Sequence, residues 1–237
     1  AVKPLFLAKG MDDDDDDDDH EGAGDGAAVV KNVLLLVVFF AQHLVMARGS
    51  FKKAVTKVVP WQMERNLYCL ATSWALRILI LEWTPMPTVV FELPTKAALA
   101  AHLFGWALVV VSTFCIDHFE LFGIAQHFHR DPPTLDHFVT RGTYRLVRHP
   151  IMTGWLTAFW FHPTYTQGRL LFAVANTAFI LFTVHLFEEP DLEKHIGEPY
   201  TRYKNTVPAY VPACPFNFAS MTSSPEAPNN PHHHKAA

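Results

Sequence analysis

Apolar residues in this chain bunch into long runs with almost no charge. Val33 to Ala47 is the first, extended upstream by Ala27 to Val30 around Lys31 and Asn32. Asn66 to Trp83 follows, interrupted by Arg77; then come Ala97 to Ile116, the shorter Pro150 to Phe161, and Leu170 to Phe187. About 20 mostly apolar residues cross the roughly 30 Å of bilayer hydrocarbon as a helix. Five such windows leave too little polar surface to wrap them in water, so the pattern predicts an all-α, polytopic membrane protein of about five transmembrane helices. His162 to Arg169, with Pro163 and Gly168, is short enough to join the last two as a helical hairpin.

Charge supplies the orientation. Arg48, Lys52, Lys53, Lys57 and Arg65 separate the first two windows, and Arg130, Arg141, Arg145 and Arg148 precede the fourth, whereas Pro85 to Lys96 holds one acid and one base. The positive-inside rule places both basic loops in the cytoplasm, and with them the C-terminus. Residues 1–26 hold ten acids, Asp12 to Asp19 among them, against two lysines. We read them as an acidic, disordered tail, 27–212 as the membrane domain, and the Ser-, Pro- and Asn-rich residues 213–237 as a second disordered tail. The aspartate run slightly favours a eukaryotic source, hence the endoplasmic reticulum. The opening on Ala1 points to a fragment or a processed product.

The 237 residues are half apolar, 18% charged and contain three cysteines, which excludes a disordered chain or a disulfide scaffold. A net charge of −4 makes no case for nucleic acid. No metal-ligand spacing stands out, and no protein partner is indicated.

Chemistry-bearing residues flank the windows. One stretch runs from Asp136, His137, Phe138 and Val139 through Gly142, Tyr144, Arg148, His149, Pro150 and Met152; another runs from Glu188 and Glu189 through Pro190, Gly197, Pro199, Tyr200 and Tyr203 to Val207-Pro208. Pro190 and Pro199 suit the first turns of short helices, and Gly197 the stop between them. A hairpin of the last two windows would bring Glu188 and Glu189 to Arg148 and His149. Snorkelling interfacial charges are the competing reading of each residue alone. Together, carboxylates beside His and Arg make a pocket for a zwitterion.

Gly-x-Tyr-x-x-x-Arg-His-Pro, then Glu-Glu and Gly-x-x-Tyr-x-x-Tyr-x-x-x-Val-Pro, resembles the isoprenylcysteine carboxyl methyltransferase superfamily of membrane enzymes that use S-adenosylmethionine (SAM). Phe40 to Arg48 and Ser112 to Gly123 are similar to stretches of its methanethiol S-methyltransferase branch, which extends the resemblance over residues 33–212. The resemblance implies SAM as cofactor, the lipid bilayer as surroundings, and a small thiol, methanethiol, methylated to dimethyl sulfide. It also implies a cytoplasmic cofactor pocket lined by His137, Phe138, Val139, Tyr144, Arg148, His149, Pro150, Met152, Glu188 and Glu189. Leu181 to His185 carries no Arg or Lys to clamp a prenylcysteine carboxylate, a departure that fits a neutral thiol.

The thiol must lose a proton, because the thiolate is the nucleophile. Candidate bases are His43, inside the first window, and Asp117 and His118, at the end of the third; Gln42 or Glu120 could orient either histidine. In a continuous helix Asp117 and His118 would point about 100° apart. Other readings remain open here: prenylcysteine carboxyl methylation, sterol reduction with NADPH, for which five spans are too few, and a membrane adaptor without catalysis.

Overall fold

The computed structural model describes residues 18–128 and 140–212. Helix α1 (Asp18–Ala47) is followed by a short basic helix α2 (Gly49–Val55) and by α3 (Trp61–Glu82). Strand β1 (Val89–Glu92) leads into α4 (Thr95–Ile116) and the one-turn α5 (His118–Leu121). Beyond a 3-10 turn at Gly142–Arg145 come α6 (Pro150–Trp160), β2 (Thr164–Thr166), α7 (Gln167–Thr183), α8 (Glu189–Ile196) and α9 (Glu198–Thr206).

Among the described residues, three helices are long and apolar enough to cross a membrane: Gly26–Ala47, Thr95–Ile116 and the continuous Gln167–Ile196. Their outward faces carry Val30, Leu34, Val38, Leu103, Phe104, Val111, Phe114, Val174 and Phe182, all exposed. Such faces belong in hydrocarbon, and the chain is an integral membrane protein. Helix α3 has the length to cross but carries Glu64, Arg65, Arg77 and Glu82. The fourth expected window forms only the eleven residues of α6, about 16 Å of helix, which falls short of the hydrocarbon thickness.

The tightest packing joins α4 to α6. It is possible because Gly105 and Gly154 face each other: a Cβ on Gly105 would lie 2.6 Å from the backbone nitrogen of Ala158, and one on Gly154 would lie 2.8 Å from the carbonyl oxygen of Gly105. Without side chains the two backbones approach closely, the usual device of helices packed in lipid. Helix α1 is pinned to the loop after α3 by the fully buried Asn32, whose amide donates to the Thr84 carbonyl at 2.8 Å and accepts from the Thr84 amide at 2.9 Å.

The structure corrects several expectations. The fold is mostly helical but not purely so: β1 and β2 pair antiparallel, Phe91 opposite Tyr165, with those rings stacked at 4.5 Å. The loops after α3 and α6 meet at one end of the bundle, where pairing satisfies backbone groups that no helix uses. The helix carrying the fifth window does not stop at the paired glutamates. It passes through a π-helical turn, Val184–Glu188, into α8, and the Glu189 amide bonds to the Val184 carbonyl five residues back. Helix α4 ends at Ile116, where the third window ends, and Asp117 beyond it adopts φ 97°, so Asp117 and His118 do not share one helix. The described backbone is helical from Asp18; residues 1–17 of the expected N-terminal tail and the expected C-terminal tail, 213–237, lie outside the described residues.

Candidate functional site

At the end of the bundle opposite the strands, the start of α6 meets the π turn. Pro150 sits buried in the first turn of α6, where its missing amide costs nothing, and this delivers Arg148 and His149 from the preceding loop. In a regular α-helix Glu188 and Glu189 would diverge by about 100°. The widened π turn lets both reach His149: one ring nitrogen lies 3.4 Å from Glu188 and the other 3.1 Å from Glu189. Turns of this kind recur at functional sites.

The two carboxylates are not equivalent. Glu189 is 4% exposed, and the cations Arg148 (2.6 Å), His149 (3.1 Å) and Lys204 (3.1 Å) converge on it. Arg148 spends Nε and Nη2 on Glu189, and its Nη1 donates to the carbonyls of Lys204 and Val207 at 2.9 and 2.6 Å. This pair ties α8, α9 and the Val207 turn to the start of α6. Glu188 is 42% exposed and has His149 as its ion-pair neighbour. Of the expected pocket residues, Glu188 therefore keeps a carboxylate open to a ligand, whereas Arg148 and Glu189 are occupied with one another.

Tyr144 stands close by. Its carbonyl accepts from the Tyr203 hydroxyl at 2.6 Å, and burial, with the charge of Glu188 next, pushes its phenol up. Gly142, at φ 61°, lets the 3-10 turn lie on α4, where a Cβ would come within 2.6 Å of the Cys115 sulfur. Met152 is half-buried in the first turn of α6. His137, Phe138 and Val139 lie outside the described residues.

Burial by itself lowers the His149 value, but hydrogen bonds and charge from Glu188 and Glu189 outweigh it and hold the imidazole above its ordinary 6.5. A raised folded value means that protonated His149 contributes stability fully below its ordinary value, and that this contribution is lost as pH rises through the folded value. His149→Gln is accordingly expected to lower Tm most near about pH 6 and progressively less towards about pH 9. Thermal unfolding of both proteins in detergent across that range measures this; a constant difference would contradict it.

The expected bases are scattered. Asp117 is exposed, and its carboxylate accepts from the amides of Phe119 and Glu120 at 3.1 and 3.0 Å, capping α5. His118 lies 2.8 Å from the Thr113 hydroxyl and stacks on Phe114 at 4.3 Å. His43 is different: half-buried, with a ring nitrogen 3.0 Å from the Tyr68 hydroxyl, it sits among Phe39, Phe179 and Tyr68. Its neighbour Gln42 bonds to Thr72 and Met46 rather than to the histidine.

Sequence reasoning missed Tyr68, Lys204 and Arg48. Arg48 lies over the Phe187 ring at 4.2 Å and 3.8 Å from Asp191, which brings the end of α1 beside Glu188. A tyrosine and a threonine four residues apart in an apolar window, Tyr68 and Thr72, were the available signal.

Residues 100–198 match the family described as phospholipid methyltransferase. The chain is 43% identical to methanethiol S-methyltransferase 2 of Bradyrhizobium diazoefficiens over 180 residues, 73% of this chain and 69% of that protein. It is 44% identical to methanethiol S-methyltransferase of Mycobacterium tuberculosis over 181 residues, 73% of this chain and 74% of that one. Nurim of Danio rerio is 30% identical over 168 residues, 65% of this chain and 60% of that protein. No solved structure matches. At more than 40% identity across most of both partners' lengths, the chain belongs to the methanethiol S-methyltransferase family.

Proposed function

We propose that this protein transfers the methyl group of S-adenosylmethionine to methanethiol, giving dimethyl sulfide, in a pocket at the cytoplasmic end of its membrane helices. The observation that carries the reading is the inequality of the glutamates: Glu189 is spent on Arg148 and Lys204, while Glu188, beside a buried His149, remains open to an ammonium group. The family's methanethiol methyltransferases supply the reaction class. SAM brings a methyl group already activated by sulfonium. The protein's part is to align donor and acceptor and to exclude water.

Among the three expected bases, His43 fits the thiol best. Phe39 and Phe179, with Phe40 stacked on Phe179, make its surroundings apolar, as suits a methyl thiol, and the Tyr68 hydroxyl orients the imidazole that takes the proton. His43 lies five residues before Arg48, about 7.5 Å of helix rise, and Arg48 covers Phe187 next to Glu188. One small-molecule methyl donor bridges such a separation.

Headspace chromatography of membranes supplied with SAM and methanethiol tests the reaction: dimethyl sulfide is expected. SAM binding without dimethyl sulfide would overturn the thiol substrate, and a prenylcysteine methyl ester product would replace it. His43→Phe is expected to lower kcat about 100-fold near neutral pH, the scale of general-base catalysis. The deficit narrows as alkaline buffer supplies thiolate directly. A deficit independent of pH would remove His43 from the role.

A further inference from the structure

Tyr210 carries a polar atom that the fold leaves unused. Its hydroxyl is sealed from solvent and has no hydrogen-bond partner. Leaving such a group unpaired is unfavourable, so its position calls for a reason. The position is not loose. The Arg148 amide donates to the Pro208 carbonyl at 2.8 Å, the His149 amide to the Ala209 carbonyl at 3.0 Å, and the Thr153 hydroxyl to the Tyr210 carbonyl at 2.8 Å. Three bonds thus lay residues 208–210 along the start of α6. They set the Tyr210 ring 5.8 Å from His149 and 5.9 Å from His185.

The hydroxyl also keeps its proton. Burial first, and then the charges of Glu189 and Glu188, push the phenol up to about 12. It is a neutral donor with nothing to donate to, beside the residue that pairs with Glu188.

A zwitterionic amino acid needs two partners there. Glu188 answers the ammonium, and the carboxylate, borne on the same carbon, needs donors. Three of the cations at hand are engaged: Arg148 with Glu189 and two carbonyls, His149 with Glu188 and Glu189, Lys204 with Glu189 and Glu193; Arg48 and His185 remain beside them as further donors. We propose that Tyr210 donates a hydrogen bond to the α-carboxylate of the methyl donor, making it a binding residue of the pocket built on Glu188 and His149. The assignment rests on the SAM reading above.

Tyr210→Phe keeps the ring and removes only the oxygen. Calorimetry on the purified protein is expected to show SAM binding weakened about tenfold, as for a lost hydrogen bond to a charged group, while decarboxylated SAM binds wild type and variant equally. The Tm should stay level or rise, because an unpaired buried hydroxyl has been removed. If decarboxylated SAM fails to bind either protein, the carbonyl resonance of carboxyl-13C SAM decides: it shifts between wild type and variant if Tyr210 touches the carboxylate and coincides if it does not. Unchanged SAM affinity, an equal loss for both ligands, or a fall in Tm overturns the assignment and leaves the SAM reading standing. A wild type that binds no SAM overturns both.

Discussion

Glu188→Gln is expected to abolish most dimethyl sulfide production while leaving the protein folded, and Glu189→Gln to do the reverse, destabilising the protein itself. Glu188 is 42% exposed, so the loss of its charge disturbs little of the fold. A charge-assisted bond to the SAM ammonium is worth about 1.5–3 kcal/mol, so at subsaturating SAM the turnover falls by tenfold or more. Glu189, 4% exposed, is the common partner of Arg148, His149 and Lys204. Neutralising it strands a buried guanidinium, and breaking such a pair costs about 3–5 kcal/mol. Headspace chromatography and thermal unfolding on the two variants give opposite patterns. Equal losses of Tm, or full activity in Glu188→Gln, would contradict this division of labour.

The second large effect is expected at the crossing of α4 and α6. In a helix free of neighbours, Gly→Ala stabilises by about 1 kcal/mol, because glycine is the poorer helix former. At Gly105 the sign reverses. The added methyl would meet the backbone nitrogen of Ala158 at 2.6 Å and the carbonyl oxygen of Gly154 at 2.8 Å, atoms that move only if a whole helix moves. Overpacking of this kind costs about 1–3 kcal/mol, and Gly105→Leu should prevent folding altogether. Because α6 carries His149 at its start, separating the helices also draws the imidazole from Glu188 and Glu189, so methyl transfer falls together with Tm. A Gly105→Ala protein more stable than wild type would show that α4 and α6 are not so closely packed.

Much of the architecture was legible in the apolar runs, because a helix in lipid satisfies its own backbone and needs only length and apolarity. The turn chemistry was legible too: Pro190 and Pro199 open α8 and α9, and Gly197, at φ 73°, separates them. Other features depend on partners distant in sequence. The strand pair joins residues 89–92 to 164–166, and His43 finds Tyr68 25 residues away; neither is written in local periodicity. The third window does end at Ile116, but that Asp117 turns left-handed there and caps α5 with its own carboxylate is not written in it.

By itself, then, the sequence determined that apolar helices carry a cluster of Arg, His and Glu at one end, since burial preference and charge are properties of individual residues. Which glutamate is paired and which stays open follows from contacts between distant segments. That choice turns on a π turn of five residues, on Arg148 reaching the Lys204 and Val207 carbonyls, and on Lys204 folding back from α9. Two identical neighbouring side chains differ because the fold surrounds one with cations and leaves the other exposed.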